Sequence, residues 1–336
     1  MRSPLREAIE DSLERLLTTI CSSAAVRAIE AHADHAPLWE SLMASGFMDA
    51  LVPQIEGGSG LPLSDAVAIP LLCGAHAVPV PMAETMLLRG LLSGQGCSYP
   101  QGSLTMGRGF TAASGGIYCP EVPLGRLADW VIVATEHATL LLPARDATLG
   151  VAGFALDAAF EWSELHVRQA SRTLPHVPVE LALAFVCAAR LSGAMTATLT
   201  RTVNYANERV QFGRPIGKFQ AIQQELTAMA EEVYSARMAV ELCAGTGCDL
   251  DPLRIAVAKA RCSEAAPRVA SVAHAVHGAI GFTEEYDLQI WVRRLHAWRR
   301  AGGTEAYWQG RLGAALLADA RPRSLDFLRG LSDALV

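Results

Sequence analysis

The chain has 336 residues, of which 51% are hydrophobic and 18% are charged, and its formal net charge is −6. This length suits one large domain or several smaller ones with a substantial buried core. The apolar fraction exceeds what a small monomer needs, which favours burial in contacts between subunits. Because a phosphate backbone is bound by a basic surface, the negative charge argues against nucleic acid as a partner.

Signals for export, membrane insertion and metal binding are weak in this sequence. No apolar run reaches the roughly 18 to 20 residues that cross a bilayer, because Arg190 interrupts the nearest candidate at residues 181–200. The charged N-terminus lacks a signal-peptide core. The eight cysteines form no Cys-x-x-Cys pair, which argues against a disulfide framework. No further ligand accompanies His274 and His277. We therefore expect a cytoplasmic protein that binds no membrane and no metal.

Residues 1–98 show the apolar periodicity of helices and are predicted to form an N-terminal helical domain. Ser3 and Pro4 supply an N-cap and a first-turn proline for the first helix. Later helices of this domain are predicted from Pro37 to Gly46, over residues 64–73 with a kink at Pro70, and over residues 82–92. The glycine cluster at residues 57–60 follows no strand, so it is interpreted as a loop rather than a phosphate-binding turn.

Residues 99–178 change to glycine, serine and proline followed by short β-type runs, which predicts a small, shortened β domain. The apolar runs at residues 130–133 and 139–142 are predicted to form a hairpin. Shorter strands are predicted at residues 150–156 and 163–167.

Residues 179–336 are predicted to form a C-terminal four-helix bundle. Residues 181–189 are apolar on every side, as expected for a helix at the centre of a bundle. The helix after residue 219 carries apolar residues in steps of three and four. The remaining helices are predicted from Asp251 to His277, from Asp287 past Trp298, from Thr304 to Leu317, and after Pro322. The predicted fold class is therefore α+β and mostly α, with two helical domains around a β domain.

A polar joint, residues 205–224, connects the first two helices of the predicted bundle. It contains the breakers Gly213, Pro215 and Gly217 and the polar residues Arg209, Gln211 and Arg214. Because the breakers cannot all lie inside one helix, the chain must stop and restart here. Cationic side chains beside a helix N-terminus suit an anionic ligand. An ordinary solvated connection explains the same residues, and spacing alone favours that interpretation.

The order of helical domain, β domain and helical bundle resembles the layout of the acyl-CoA dehydrogenase family. The string Arg209-Val210-Gln211-Phe212-Gly213 resembles the family's Arg-x-Gln-Phe-Gly turn. Residues 276–286 resemble its later glycine motif, and residues 52–60 are similar to a weaker N-terminal motif. These motifs follow the family's order across most of the chain.

The resemblance implies flavin chemistry on a CoA thioester. In this family a carboxylate removes the proton α to the thioester carbonyl, while the β hydride passes to FAD. The family's Arg-x-Gln-Phe-Gly turn reaches the adenosine-diphosphate half of an FAD that is held mainly by a neighbouring subunit. By this resemblance, the residues that contact the cofactor are Arg209, Gln211, Phe212, Gln220 and Gly278.

The sequence departs from the family pattern where the resemblance implies a catalytic base. Gly302 stands at the position of the family's usual glutamate, and Leu183 stands at the position that a minority of members use. Residues 104–122 lack the family's flavin-facing segment, and Ala275 and Ala279 replace two residues of the glycine motif. No catalytic residue is therefore assigned.

Other acidic residues were weighed as replacements for the missing base. Glu180 lies one helical turn before Leu183 and is the nearest candidate. Glu305 is expected at a helix N-terminus, where the dipole lowers the pKa of a carboxyl group and makes it a poor base. Glu284 and Glu285 belong to the glycine motif and are expected to be structural.

The retained cofactor residues and the missing base favour one hypothesis. The chain resembles the short, non-catalytic subunit of heterotetrameric (α2β2) acyl-CoA dehydrogenases, which completes the FAD site of a full-length catalytic chain. The resemblance points to CoA thioesters of sterol or bile-acid side chains as substrates and to an electron-transfer acceptor. Two alternatives stay open. One is a self-sufficient homo-oligomeric dehydrogenase with Glu180 as base, and the other is a structural or acyl-CoA-binding relative without flavin.

Overall fold

The computed structural model describes residues 3–175, 177–245, 247, 249–319 and 324–332. The chain divides into two compact units. The first unit contains Met1–Ile69, Val78–Val186 and Thr246–Leu250, and the second contains Pro70–Ala77, Cys187–Gly245 and Asp251–Val336. The three domain boundaries predicted from the sequence, at residues 1–98, 99–178 and 179–336, stay a prediction.

The N-terminal part of the chain is helical, as predicted. Its helices are α1 (Pro4–Ile20), α2 (Ser23–Glu30), α3 (Ala36–Ala44), α4 (Leu63–Ala66), α5 (Ala68–Ala75) and α6 (Met82–Ser93). Ser3 caps α1, because its Oγ accepts a hydrogen bond from the amide of Arg6 at 3.0 Å. Helices α4 and α5 are separated at Val67. This break fits Pro70, which offers no N–H to the carbonyl one turn earlier.

The glycine cluster at residues 57–60 is a closed loop. The amide of Gly60 donates to the carbonyl of Val52 at 2.8 Å. The amide of Ser59 donates to the carbonyl of Asp49 at 3.0 Å. Since these amides are used inside the loop, they do not form a cradle for phosphate, and the loop interpretation is confirmed.

Two four-stranded sheets share one core in the first unit. One sheet has the order β1 (Leu104–Arg108), β4 (Trp130–Ala134), β5 (Thr139–Pro143), β8 (Arg172–Leu174), and the other has the order β2 (Phe110–Thr111), β3 (Ile117–Val122), β7 (Ala158–Trp162), β6 (Thr148–Val151). The predicted hairpin is confirmed by the antiparallel pairing of β4 with β5, which places Val131 opposite Leu142. Alternate residues of β3, β4, β5 and β7 fill the core. There Phe160 stacks on Trp162 with ring centroids 5.1 Å apart.

The two shorter strands predicted for this region are corrected by the structure. The strand predicted at residues 150–156 lies earlier, as β6, and ends at Val151. Residues 163–167 begin a helix, α7 (Glu164–Ala170), rather than a strand. Ser163 caps this helix, because its Oγ accepts from the amide of His166 at 3.3 Å. Local capping therefore outweighs a short apolar alternation.

The described residues after β8 are mainly helical. They form α8 (Val179–Glu208), α9 (Gln220–Cys243), α10 (Pro252–His277), α11 (Leu288–Arg300), α12 (Glu305–Ala318) and α13 (Ser324–Ser332). In the second unit, α10 packs against α9, α11 and α12. Asp251 and Thr304 cap α10 and α12, as predicted. Helix α10 continues through Pro267 without interruption. The predicted fold class, α+β and mostly α, is confirmed.

Helix α8 is the most apolar long helix in the described part of the chain. By length and composition alone this helix could cross a membrane, which corrects the expectation that no apolar run is long enough. The reason is that a single arginine, Arg190, does not prevent an apolar window of 18 residues. Within the protein, 78% of that window is buried, as is usual for a helix in a core.

Glycines allow α5 and α8 to approach closely in the second unit. A Cβ atom added at Gly193 of α8 would lie 1.8 Å from the carbonyl oxygen of Leu71. A Cβ atom added at Gly74 of α5 would lie 2.0 Å from the carbonyl oxygen of Arg190. Both contacts are to backbone, which cannot move aside as a flexible side chain can. Only glycine therefore fits at these positions.

Replacing Gly193 with alanine should lower the free energy of unfolding by about 3 kcal/mol, because the added methyl group forces the two helix backbones apart. Gly313→Ala is the matched control, since a Cβ atom at Gly313 of α12 meets nothing within 4 Å. That change should raise the free energy of unfolding by up to about 1 kcal/mol, because alanine is the better helix former. Urea unfolding measures both, and equal midpoints for the two variants would contradict the close approach.

Candidate functional site

The joint between α8 and α9 folds as a small β-hairpin. Its strands are β9 (Val210–Gln211) and β10 (Arg214–Pro215), which pair antiparallel. The two residues between them, Phe212 and Gly213, have φ angles of 53° and 79°. Positive φ at both central residues is the signature of a type I′ turn, whose twist matches that of a hairpin. We refer to residues 209–216 as the hairpin.

Phe212, at the tip of the hairpin, is both strained and exposed. A left-handed backbone costs a non-glycine residue about 1–2 kcal/mol. The side chain is 91% exposed, so its ring gains little from burial within its own chain. A strained and exposed aromatic residue is a candidate for contact with a ligand or a second chain.

Polar groups at the hairpin are free to bind a ligand. The side chains of Arg209 and Gln211 are exposed. Within the described residues, neither has a hydrogen-bond or ion-pair partner. Helix α9 begins at Gln220, and among the described residues no side chain caps its N-terminal amides. A guanidinium without a partner and uncapped helix amides are each favourable groups for binding a diphosphate.

The glycine motif is attached to the base of the hairpin. Tyr205, near the end of α8, stacks on the ring of His277 with centroids 4.3 Å apart. The Tyr205 hydroxyl donates to the carbonyl of His277 at 3.3 Å. Gly278 follows with φ 64° and ψ −145°, a conformation that is essentially restricted to glycine. A Cβ atom there would meet nothing within 4 Å, so the backbone of Gly278 is open to a ligand.

His277, within this motif, and His274, three residues earlier on α10, are held by ring contacts. His277 is 4% exposed, and burial lowers its pKa, so the imidazole is neutral at neutral pH. Its Nδ1 donates to the carbonyl of Ala273 at 2.7 Å. His274 stacks on Phe282 with centroids 4.1 Å apart. Both rings therefore serve to position the glycine motif.

The turn at residues 301–304, between α11 and α12, is built for glycine. Gly302 and Gly303 have φ angles of 68° and 95°. The indole Nε1 of Trp308 donates to the carbonyl of Gly302 at 2.8 Å. A Cβ atom at Gly303 would lie 2.6 Å from that same nitrogen. A glutamate in place of Gly302 would therefore add backbone strain to a fixed turn.

A buried lysine supports this turn from the protein interior. The side chain of Lys259, on α10, is 0% exposed. Its Nζ donates to three oxygen atoms: Ser263 Oγ at 2.7 Å, the Arg299 carbonyl at 2.9 Å and the Gly303 carbonyl at 2.7 Å. Burial lowers the pKa of Lys259 to about 8, so the group is mainly an ammonium at neutral pH. If a glutamate replaced a glycine of this turn, the nearby ammonium would lower the pKa of its carboxyl group and make it a weak base.

The acidic residues considered as replacement bases lie in different settings. Hydrogen bonds from Arg299 are the largest cause of a lowered pKa at Glu305. The direction matches the expectation for this residue, although Arg299 rather than the helix dipole is the main cause. Glu180 is exposed on the first turn of α8 and belongs to the first unit. Glu284 and Glu285 are exposed.

Comparison with known proteins places these features in a family. Residues 183–317 match the family model "Acyl-CoA dehydrogenase, C-terminal domain". Over 307 residues the chain is 30% identical to the acyl-CoA dehydrogenase IpdE2 of Mycolicibacterium smegmatis, covering 87% of this chain and 92% of that protein. The chain belongs to the acyl-CoA dehydrogenase family. The resemblance drawn from the sequence motifs is therefore confirmed.

Solved structures of acyl-CoA dehydrogenases share this fold. The ChsE4-ChsE5 complex from Mycobacterium tuberculosis matches with a TM-score of 0.80 at 20% identity, covering 96% of this chain and 99% of that chain. A variant of the Tcur3481-Tcur3483 steroid ACAD matches with a TM-score of 0.77 at 21% identity, covering 93% and 98%. At these identities the likeness concerns the fold.

Membership of the acyl-CoA dehydrogenase family supports an oxidoreductase role and implies the use of FAD. The hairpin and the start of α9 fit part of this cofactor, because they offer an unpaired guanidinium, an exposed ring and uncapped helix amides. These groups suit the diphosphate and the adenosine of a flavin. The turn at residues 301–304 carries no carboxylate.

Sequence reasoning found the hairpin residues and missed the groups that fix the turn. Lys259 and Trp308 were not singled out. A signal for Lys259 was available, because a lysine in the apolar run at residues 255–260 must either reach solvent or find buried acceptors. Two of its three acceptors are backbone carbonyls distant in the sequence, of Arg299 at the end of α11 and of Gly303 in the following turn, which no local pattern reveals.

Replacing Lys259 with methionine should lower the free energy of unfolding by about 3 kcal/mol at pH 7, because buried acceptors lose their donor. Lys218→Met, at an exposed lysine before α9, is the control and should change stability by less than about 0.5 kcal/mol. Urea unfolding at constant pH measures both. A Lys259→Met variant as stable as the control would show that the turn does not depend on the ammonium.

A comparison of the parent chain with Lys259→Met also tests the pKa of Lys259. Its folded-state pKa of about 8 lies below the ordinary lysine value of 10.5, so unfolding takes up a proton between these values. Raising the pH from 8 toward 10.5 should therefore stabilise the parent chain relative to Lys259→Met, and the gain should be lost as the pH falls through 8. A difference that stays constant over this range would contradict a lowered pKa.

Proposed function

We propose that this chain is the non-catalytic subunit of a heterotetrameric, FAD-dependent acyl-CoA dehydrogenase. The proposal rests on a contrast between the hairpin and the turn at residues 301–304, both in the second unit. The hairpin keeps the side chains of Arg209 and Gln211 without a partner among the described residues and Phe212 exposed. The turn at residues 301–304 has glycine at the family's base position, with the buried Lys259 ammonium bonded to it. Such a chain completes a flavin site in a partner and abstracts no proton itself.

Each hairpin residue has a defined task in this proposal. FAD, when bound, supplies the hydride acceptor for α,β-desaturation of a CoA thioester. Arg209 and the N-terminal amides of α9 bind the pyrophosphate. Phe212 lines the adenosine, and the amides of Gln211 and Gln220 hydrogen-bond to its polar groups. Gly278 allows the cofactor to approach the backbone closely. The carboxylate that removes the α proton belongs to the partner chain.

The similar structures support a two-chain enzyme and a steroid substrate. One of them is named as a complex of two proteins, ChsE4 and ChsE5, and the other carries two protein names and is called a steroid ACAD. On this basis we assign the chain to an α2β2 assembly with a full-length catalytic subunit. Its substrate class is a CoA thioester of a sterol or bile-acid side chain, and its electrons leave to an electron-transfer acceptor.

Arg209→Ala in the co-expressed complex should weaken FAD binding about 10- to 100-fold, because a charge-assisted contact contributes about 1.5–3 kcal/mol. Arg15→Ala, at an exposed arginine of α1, is the matched control and should bind FAD normally. The measurement is the flavin absorbance that each complex retains after dialysis against increasing volumes of buffer. The parent chain purified alone should be colourless and inactive.

Two results would contradict the proposed role. A yellow, active homotetramer of this chain alone would show that it needs no catalytic partner. Unchanged FAD content of the Arg209→Ala complex would favour a structural or acyl-CoA-binding relative without flavin, which is the alternative from a different functional class.

The self-sufficient dehydrogenase is tested at Glu180. Under the proposed function, Glu180→Gln in the complex should leave the turnover rate unchanged, because the partner supplies the base. Glu225→Gln, at an exposed glutamate of α9, controls for the loss of a surface charge. Steady-state desaturation of the acyl-CoA substrate measures both variants. Loss of turnover in Glu180→Gln alone would establish Glu180 as the base instead.

A further inference from the structure

The second arginine of the hairpin is placed differently from the first. Whereas the guanidinium of Arg209 has no partner among the described residues, the guanidinium of Arg214 lies over the ring of Phe219, with Cζ 4.1 Å from the ring centroid. The same ring meets Phe212 edge-on, with centroids 6.0 Å apart. Phe219 therefore stands between the cation of one hairpin strand and the aromatic residue at the tip. We call these three side chains the hairpin stack.

Phe219 is a fixed support for this stack. It is the N-cap residue of α9. Its amide donates to the carbonyl of Ile216 at 3.0 Å, and its carbonyl accepts from the amide of Gln223 at 3.1 Å. The ring is half-buried, so its backbone and its side chain are both restrained. Contacts to Phe219 therefore tie the hairpin to the start of a 24-residue helix.

The hairpin needs such a support. Each strand contains only two residues, and an isolated two-stranded hairpin is marginally stable in water. Phe212 adds the strain of a positive φ and is 91% exposed. A ring in this position would sample several rotamers, and ordering it at the moment of binding would weaken affinity. The stack removes part of that cost before the ligand arrives.

We infer that Arg214 is a positioning residue, which holds Phe212 for flavin binding by stacking on Phe219, and that its role differs from the direct contact assigned to Arg209. This inference rests on the proposed function, in which Phe212 lines the adenosine of the partner's FAD. A guanidinium stacked on an aromatic face gains cation–π attraction while its edge stays in water. The planar group is required, so lysine at this position is an incomplete substitute.

A double-mutant cycle in the co-expressed complex tests the inference. Arg214→Gln and Phe219→Leu should each weaken FAD binding about two- to fivefold, the range for an exposed cation–π pair. The double variant should be no weaker than the worse single variant, because either change breaks the same stack. Arg214→Lys should restore binding only in part. Lys218→Gln, which removes a neighbouring exposed charge, should leave binding unchanged.

The outcomes separate this inference from the proposed function. One outcome is that Arg209→Ala loses FAD and that the losses of FAD affinity from Arg214→Gln and Phe219→Leu multiply in the double variant. Arg214 would then contact the cofactor directly, and the positioning role is overturned. Full rescue by Arg214→Lys, or an equal loss in Lys218→Gln, overturns it as well, since charge alone would then suffice. If Arg209→Ala leaves FAD content unchanged, the proposed function itself fails. Hydrogen exchange of the Ile216 amide, which bonds to Arg209, provides a second readout and should accelerate in Arg214→Gln.

Discussion

The left-handed turn at Phe212 and Gly213 is the constraint on which the candidate site depends. Between α8 and α9 the chain reverses direction in a two-residue turn, and positive φ at two successive positions allows this. Glycine adopts that conformation freely, whereas phenylalanine does so at a cost. The cost is offset by strand pairing and by contacts of the Phe212 ring with Phe219. The result is an aromatic ring that contacts Phe219 along one edge and is otherwise exposed.

A second constraint acts at the turn between α11 and α12. The Lys259 ammonium is taken out of water, which is unfavourable unless its donors are satisfied. Here Ser263 and two backbone carbonyls satisfy them. The bond to the Gly303 carbonyl fixes the glycine turn at residues 301–304. Under the proposed function this turn stands at the position of the base, and the second unit combines an exposed binding element with a catalytic position that carries no carboxylate.

Local patterns predicted most elements and failed where two signals competed. Apolar periodicity located the long helices, and caps at Ser3, Asp251 and Thr304 located three of their starts. In the β region, the sequence did not predict β1 or β3, which become strands by pairing with the distant strands β4 and β7. At residues 163–167 a short apolar alternation competed with the cap at Ser163, and the cap prevailed. Strand pairing is non-local, so composition alone represents it poorly.

By itself, the sequence determined the fold class, the family and the identity of the hairpin residues, because periodicity, capping and motif strings are local properties. It also showed that Gly302 cannot act as a base. Only the tertiary structure decided how these residues are used. The stack of Arg214 on Phe219, the contact of Tyr205 with His277 and the bonds of Lys259 to Gly303 join residues of different elements. The Tyr205 and Lys259 contacts follow from the packing of elements that are distant in the sequence, and the Arg214 contact follows from the fold of the joint. No helix or strand periodicity specifies them.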